Sequence, residues 1–137
     1  MGKPQVRFDE GTGSARTPPT LLLMGDRESD IDDLFIAPRN PQQQLLVRGA
    51  WDRKLENPPE QHLWAAAETA PMLGTMTITV PAKPGQRERE ATLALRTTVV
   101  QIARPTHRSA ATPSAPPLTV VLAREIAPPD GMKPIEW

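Results

Sequence analysis

The residues that could do chemistry concentrate where an apolar run stops. Leu21, Leu22, Leu23 and Met24 end at Gly25, and Asp26 follows at once, with Glu28, Asp30, Asp32 and Asp33 close behind. A run of that length bounded by a glycine reads as a buried β-strand. A carboxylate at the C-terminal edge of such a strand stands where α/β folds bind ligands, and oxygen donors suit hard divalent cations. Asp26 is therefore the first candidate for chemistry. The same residues also fit a helix start. Aspartate is a favoured N-cap, and acidic side chains favour the first turn because of the helix dipole. On spacing alone, the cap is the simpler reading.

The elements that must position these residues follow from periodicity. Residues 29–36 place Ile31, Leu34 and Phe35 on one face of a short helix, which Pro38 and Pro41 end. Residues 44–48 form a second short strand that ends in a charge, Arg48. Residues 60–70 are rich in Ala and Glu and predict a helix, with Leu63, Ala66, Ala67 and Ala70 on one face. Three alternating runs follow, at 75–80, 90–102 and 118–126, and period-two alternation between turn-rich segments predicts an antiparallel sheet. In the middle run the pattern puts Ala91, Leu93, Leu95, Thr97, Val99 and Gln101 on one side. The connection 104–117 is of low complexity and reads as mobile. His62 and His107 sit in settings that give them no role.

Four strings in order carry a resemblance. They are Gly25-Asp26-Arg27-Glu28-Ser29-Asp30-Ile31; Leu45-Leu46-Val47-Arg48 with Arg53-Lys54; Leu73-Gly74-Thr75 before an alternating strand; and residues 124–129 with Pro134-Ile135-Glu136-Trp137. Together, over residues 20–137, they resemble the catalytic core of bacterial DDE transposases of the insertion-sequence-four type (transposon-five-like). The resemblance implies an α/β (α+β) fold, a partial ribonuclease H-like core carrying an inserted antiparallel β-sheet. Residues 20–72 would supply core strands and helices, and residues 73–137 the inserted sheet. The implied activity is metal-dependent phosphodiester cleavage and strand transfer at transposon ends, with two Mg2+ or Mn2+ ions held by three carboxylates. Asp26 matches the second of these and is the implied catalytic residue and metal ligand. Arg48, Arg53 and Lys54 match residues that contact DNA. Trp137 matches a tryptophan that stacks on an unpaired base, an interaction of roughly 1–3 kcal/mol.

The first aspartate and the glutamate of that triad have no match. Asp9 has no strand leading into it, Glu136 precedes the tryptophan rather than following it, and the chain has no tyrosine. Glu125, Glu28 and Asp30 do not fit the missing positions either. The chain alone is therefore expected not to cleave DNA. The implied partners are transposon-end DNA and a second copy or a full-length transposase. The rival readings are a non-enzymatic β-rich module that binds DNA or protein, and an independent metal hydrolase built on Asp26, Glu28 and Asp30.

Composition sets outer bounds. The 137 residues suffice for one domain with a core. Net charge is zero but uneven: seven acidic against two basic residues over 8–35, and six basic against two acidic over 81–110. One pole suits a cation and the other a phosphate backbone, whereas zero total charge argues against strong nonspecific DNA affinity. The absence of cysteine excludes disulfides and thiolate zinc sites and fits a cytoplasmic location. No apolar run reaches membrane-spanning length, and the N-terminus lacks a signal-peptide core. Residues 1–19, rich in Gly, Pro and charge, read as a disordered or linker-like segment. Seventeen prolines against two phenylalanines imply many loop boundaries and a modest core.

Overall fold

A computed structural model describes residues 20–57, 61–109 and 111–137. The linker-like reading of residues 1–19 falls outside the described residues, as does Glu60 at the start of the expected helix. The described chain is a mixed α/β fold made mostly of strands, with an antiparallel sheet as its largest element.

β1 (Leu21–Gly25) and β2 (Gln43–Val47) form a parallel pair, in register from Leu21 opposite Gln43 to Gly25 opposite Val47. Between them run a single 3₁₀ turn, Arg27–Ser29, and the short helix α1, Asp32–Ile36. The expected helix over 29–36 is thus split in two. Ile31 stands outside α1 in extended conformation as its N-cap and is exposed, whereas Phe35 is buried.

The apolar run of β1 was expected to be buried, and the structure corrects this. Leu21, Leu22, Leu23 and Met24 are 53%, 49%, 40% and 76% exposed. β1 has one strand neighbour, and the pair reaches the core through Leu45 and Val47 of β2. A parallel pair needs cover on both faces to bury both rows of side chains, and the described residues do not supply it.

The larger sheet is built around β5 (Arg89–Ile102), which pairs antiparallel with β3 (Leu55–Asn57), β4 (Met72–Val80) and β6 (Leu118–Glu125). The expected strands at 75–80, 90–102 and 118–126 are all present, and β4 begins three residues earlier than its alternation indicated. Past β6 the chain returns along that strand's outer edge. The N–H of Trp137 donates to the Ala123 carbonyl at 2.9 Å, the Ala123 N–H to the Trp137 carbonyl at 2.8 Å, and the Glu125 N–H to the Ile135 carbonyl at 2.8 Å.

β5 is buried on opposite faces in its two halves. Ala91 and Leu93 are buried near its start, and Val100 and Ile102 near its end. Its register with β6 runs unbroken from Leu93 opposite Glu125 to Val100 opposite Leu118, so no bulge rotates the strand. What changes is the cover. The second half packs with Phe35, Leu55, Leu63, Ala66 and Ala115 into the main core. Val99, which the alternation put on the same side as Ala91 and Leu93, is accordingly 62% exposed.

α2 (Leu63–Thr69) lies against this core. Its buried residues Leu63, Ala66 and Ala67, with Ala70 just beyond, make up the apolar face read from the sequence. Small side chains let the helix approach the sheet closely, and polar groups close its ends. Asp52 Oδ1 accepts the Trp64 N–H at 2.8 Å, and Arg96 Nη1 donates to the Ala70 carbonyl at 2.7 Å. Both satisfy backbone groups that a helix leaves unpaired at its termini. The connection 104–117, expected to be mobile, is tied at several points. Ala115 is buried in the core, its carbonyl accepts from Gln101 Nε2, and Arg108 pairs with Asp32 and Asp33 of α1.

Candidate functional site at the carboxyl edge of the parallel pair

Asp26 stands immediately past the C-terminal end of β1 and Arg48 immediately past that of β2. Because the strands are parallel and in register, the two residues emerge side by side, and the Arg48 N–H donates to the Gly25 carbonyl at 3.0 Å. Gly25 is required here. A Cβ at this position would lie 2.5 Å from both Cβ and Oγ of Ser29, because the 3₁₀ turn folds directly back on the strand end. Asp26 itself caps that turn. Its backbone is extended and its Oδ1 accepts the Arg27 N–H at 2.7 Å. The carboxylate is exposed and retains lone pairs directed to solvent.

The residue that holds this edge together is Asp30, 3% exposed. Its Oδ2 accepts the N–H groups of Ala50 and Trp51 at 2.6 and 3.0 Å, and its Oδ1 accepts Arg53 Nε and Nη2 at 3.0 and 2.8 Å. Arg53 is further stacked over the Phe35 ring, 5.3 Å from its centroid. This network ties the connection after β1 to the connection after β2, and so fixes the loop that carries Arg48.

The sequence-derived site residues therefore separate. Asp26 and Arg48 come together. Arg53 lies in the same region, but its guanidinium is engaged by Asp30 and its side chain is 15% exposed. Lys54 is exposed beyond it and forms an antiparallel bridge with His62 at the start of α2. Trp137 belongs to the other sheet. Its backbone is held against Ala123 while its ring is 54% exposed. Among the described residues no group of three His, Cys, Asp or Glu side chains could hold a metal ion. The described residues thus do not complete a two-ion site around Asp26.

Two charged networks on the larger sheet escaped sequence reasoning. Glu125 of β6 and Arg89 of β5 form a bidentate pair with side chains 2% and 17% exposed, and Glu125 Oε2 also accepts the Ile135 N–H at 3.0 Å. The Arg89 guanidinium, reinforced by that N–H, holds the Glu125 carboxyl below the usual carboxylate range, and the same pairing raises Arg89. The available signal was position: Glu125 shares a face of β6 with Ala123, and a carboxylate buried beside it requires a partner. Arg124, on the opposite face, bridges Glu68 of α2 and Glu136, and their hydrogen bonds raise its already high pKa. A cavity of about 180 Å³ beside Glu68, Arg96, Leu122 and Arg124 is lined by charges these contacts already satisfy.

No family model matches this chain, and no curated protein matches it significantly. No helix among the described residues is long and apolar enough to cross a membrane.

Proposed function

We propose that this chain is a central piece of the catalytic core of a cut-and-paste DNA transposase, with the partial ribonuclease H-like core that assignment carries. What supports the reading is the side-by-side position of Asp26 and Arg48 at the carboxyl edge of a parallel strand pair. Such an arrangement suits a phosphate group and its counter-charge. In this reading Asp26 is one of three carboxylates of a Mg2+ or Mn2+ site whose other members the described residues do not supply. Arg48 and Lys54 face the DNA backbone, Arg53 fixes the loop that presents them, and the exposed ring of Trp137 stacks on an unpaired base. The piece binds transposon-end DNA without cutting it, in the cytoplasm, alone or with a full-length transposase.

The test is fluorescence anisotropy with a labelled transposon-end duplex and a scrambled one across a salt series. The expected result is preference for the end, with Arg48→Ala and Lys54→Ala each reducing the salt slope by about one. Equal affinity for the scrambled duplex, or indifference to both substitutions, overturns the reading.

A second reading, a non-enzymatic β-rich interaction module, is favoured by one observation: the Asp26 carboxylate caps the turn after β1, a task that needs no metal. It predicts that Asp26→Ala leaves partner binding unchanged.

A further inference from the structure

β4 lies at a margin of the larger sheet, with β5 as its strand partner. The opposite margin, along β6, is covered by residues 135–137 at Ala123 and Glu125. The Thr97 N–H donates to the Pro71 carbonyl and the Ile126 N–H to the Thr92 carbonyl, so odd-numbered residues of β5 bond towards β4 and even-numbered ones towards β6. The alternation of an antiparallel ladder then bonds Gly74, Met76, Ile78 and Val80 to β5. It turns the N–H and C=O of Thr75, Thr77 and Thr79 outward, where no described residue meets them. Edge strands are normally guarded by charge, proline, brevity or a bulge. β4 is nine residues long with neither charge nor proline, and its irregularity lies at the Met72 end, away from the three threonines.

We propose that this edge docks a second copy of the chain: two β4 strands pair antiparallel about a two-fold axis at Met76, joining two sheets into one. The inference stands independently of the transposase reading. The strand is self-complementary about that point. Met72 meets Val80, Gly74 meets Ile78 and Met76 meets itself, apolar against apolar. Thr75 meets Thr77 on the other face, and threonine pairs are favourable cross-strand neighbours. The outward hydrogen-bonding residues also fall opposite one another in this register. An isologous contact of this kind closes on itself as a dimer. An unrelated extended peptide would meet the same backbone groups, but the match of residue types about one axis points to a second copy.

The test is sedimentation velocity on the full chain over a concentration series, with circular dichroism to verify sheet content in each variant. The wild type is expected to pass from monomer to dimer. The double variant T75K/T77K sets lysines opposite lysines across the axis and weakens the dimer about tenfold or more. The variant T75E/T77K sets Glu opposite Lys in the same register and restores it. A wild type that stays monomeric at all concentrations overturns the proposal, including where it captures an unrelated strand peptide instead. A dimer that ignores T75K/T77K overturns it as well. Failure of T75E/T77K to recover overturns the two-fold at Met76.

Discussion

Arg53 grips Asp30 at both ends of the residue: Nε and Nη2 donate to the carboxylate at 3.0 and 2.8 Å, and Nη2 also donates to the backbone carbonyl at 2.8 Å. A single aspartate thereby accepts from a guanidinium and, through its other oxygen, from two backbone N–H groups of the loop after β2. Charge-assisted, forked contacts of this kind are the strong ones, and they set the geometry of the edge where Asp26 and Arg48 emerge.

Removing that carboxylate leaves a mostly buried guanidinium with only the backbone carbonyl of residue 30 to accept from it, and two backbone donors with no partner. Asp30→Ala is expected to destabilise the chain by about 3 kcal/mol or more. Asp26→Ala removes one exposed capping contact and is expected to cost about 1 kcal/mol or less. Urea midpoints of the two variants, compared with wild type, rank them. Equal losses would mean that the network around Asp30 does not organise the edge.

The Arg89–Glu125 pair sets an acid limit. Because the folded carboxyl titrates below its ordinary value of 4.5, folding favours its ionised form. Its contribution is complete above the ordinary value and is lost as pH falls through the depressed one. Stability should therefore decline below about pH 4.5 with a component that Glu125→Gln removes. Urea midpoints recorded from about pH 7 down to about pH 3 test this: the variant is less stable than wild type near neutrality, and the gap narrows in acid.

Gly25→Ala drives a methyl group into Ser29, since the added Cβ would lie 2.5 Å from two of its atoms. Overpacking of this kind costs about 1–3 kcal/mol. The double variant Gly25→Ala/Ser29→Gly removes both clashing atoms and should recover most of the loss in melting temperature. Absence of recovery would place the requirement for glycine in the backbone rather than in the contact.

The two adjacent valines of β5 separate the faces. Val100 is 2% exposed and sits in the main core. Val100→Ala is expected to cost about 2 kcal/mol. Val99, by contrast, is 62% exposed. It should tolerate the same change within about 0.5 kcal/mol. Denaturant titration of the two variants distinguishes this arrangement from the simple alternation, which assigns Val99 to the same side as Ala91 and Leu93.

What the sequence made legible followed from local period. The long strands showed as alternation, and the α2 face as the spacing of Leu63, Ala66, Ala67 and Ala70, because each pattern repeats within a single element. β3 left no trace, since Leu55, Glu56 and Asn57 are too few to show a period and are held by pairing with residues far along the chain. The exposure of Leu21 to Met24 was hidden for the converse reason: an apolar run states a preference for burial but not whether a covering element exists. The anchoring role of Asp30 was masked by its acidic neighbours, which made it look like one more solvent-facing charge. The side of β5 that is covered changes midway, and that depends on where α2 and Ala115 come to rest.

β5 is buried at Ala91 and Leu93 on one face and at Val100 and Ile102, in the main core, on the other. A strand buried in this way cannot slide without exposing apolar side chains on both faces. The two halves of the sheet are therefore expected to open as one unit, with the amides along the middle of β5 the last to undergo solvent hydrogen exchange. The parallel pair β1–β2, attached through Leu45 and Val47, lies outside that unit. Local opening begins there, at the edge that carries Asp26 and Arg48.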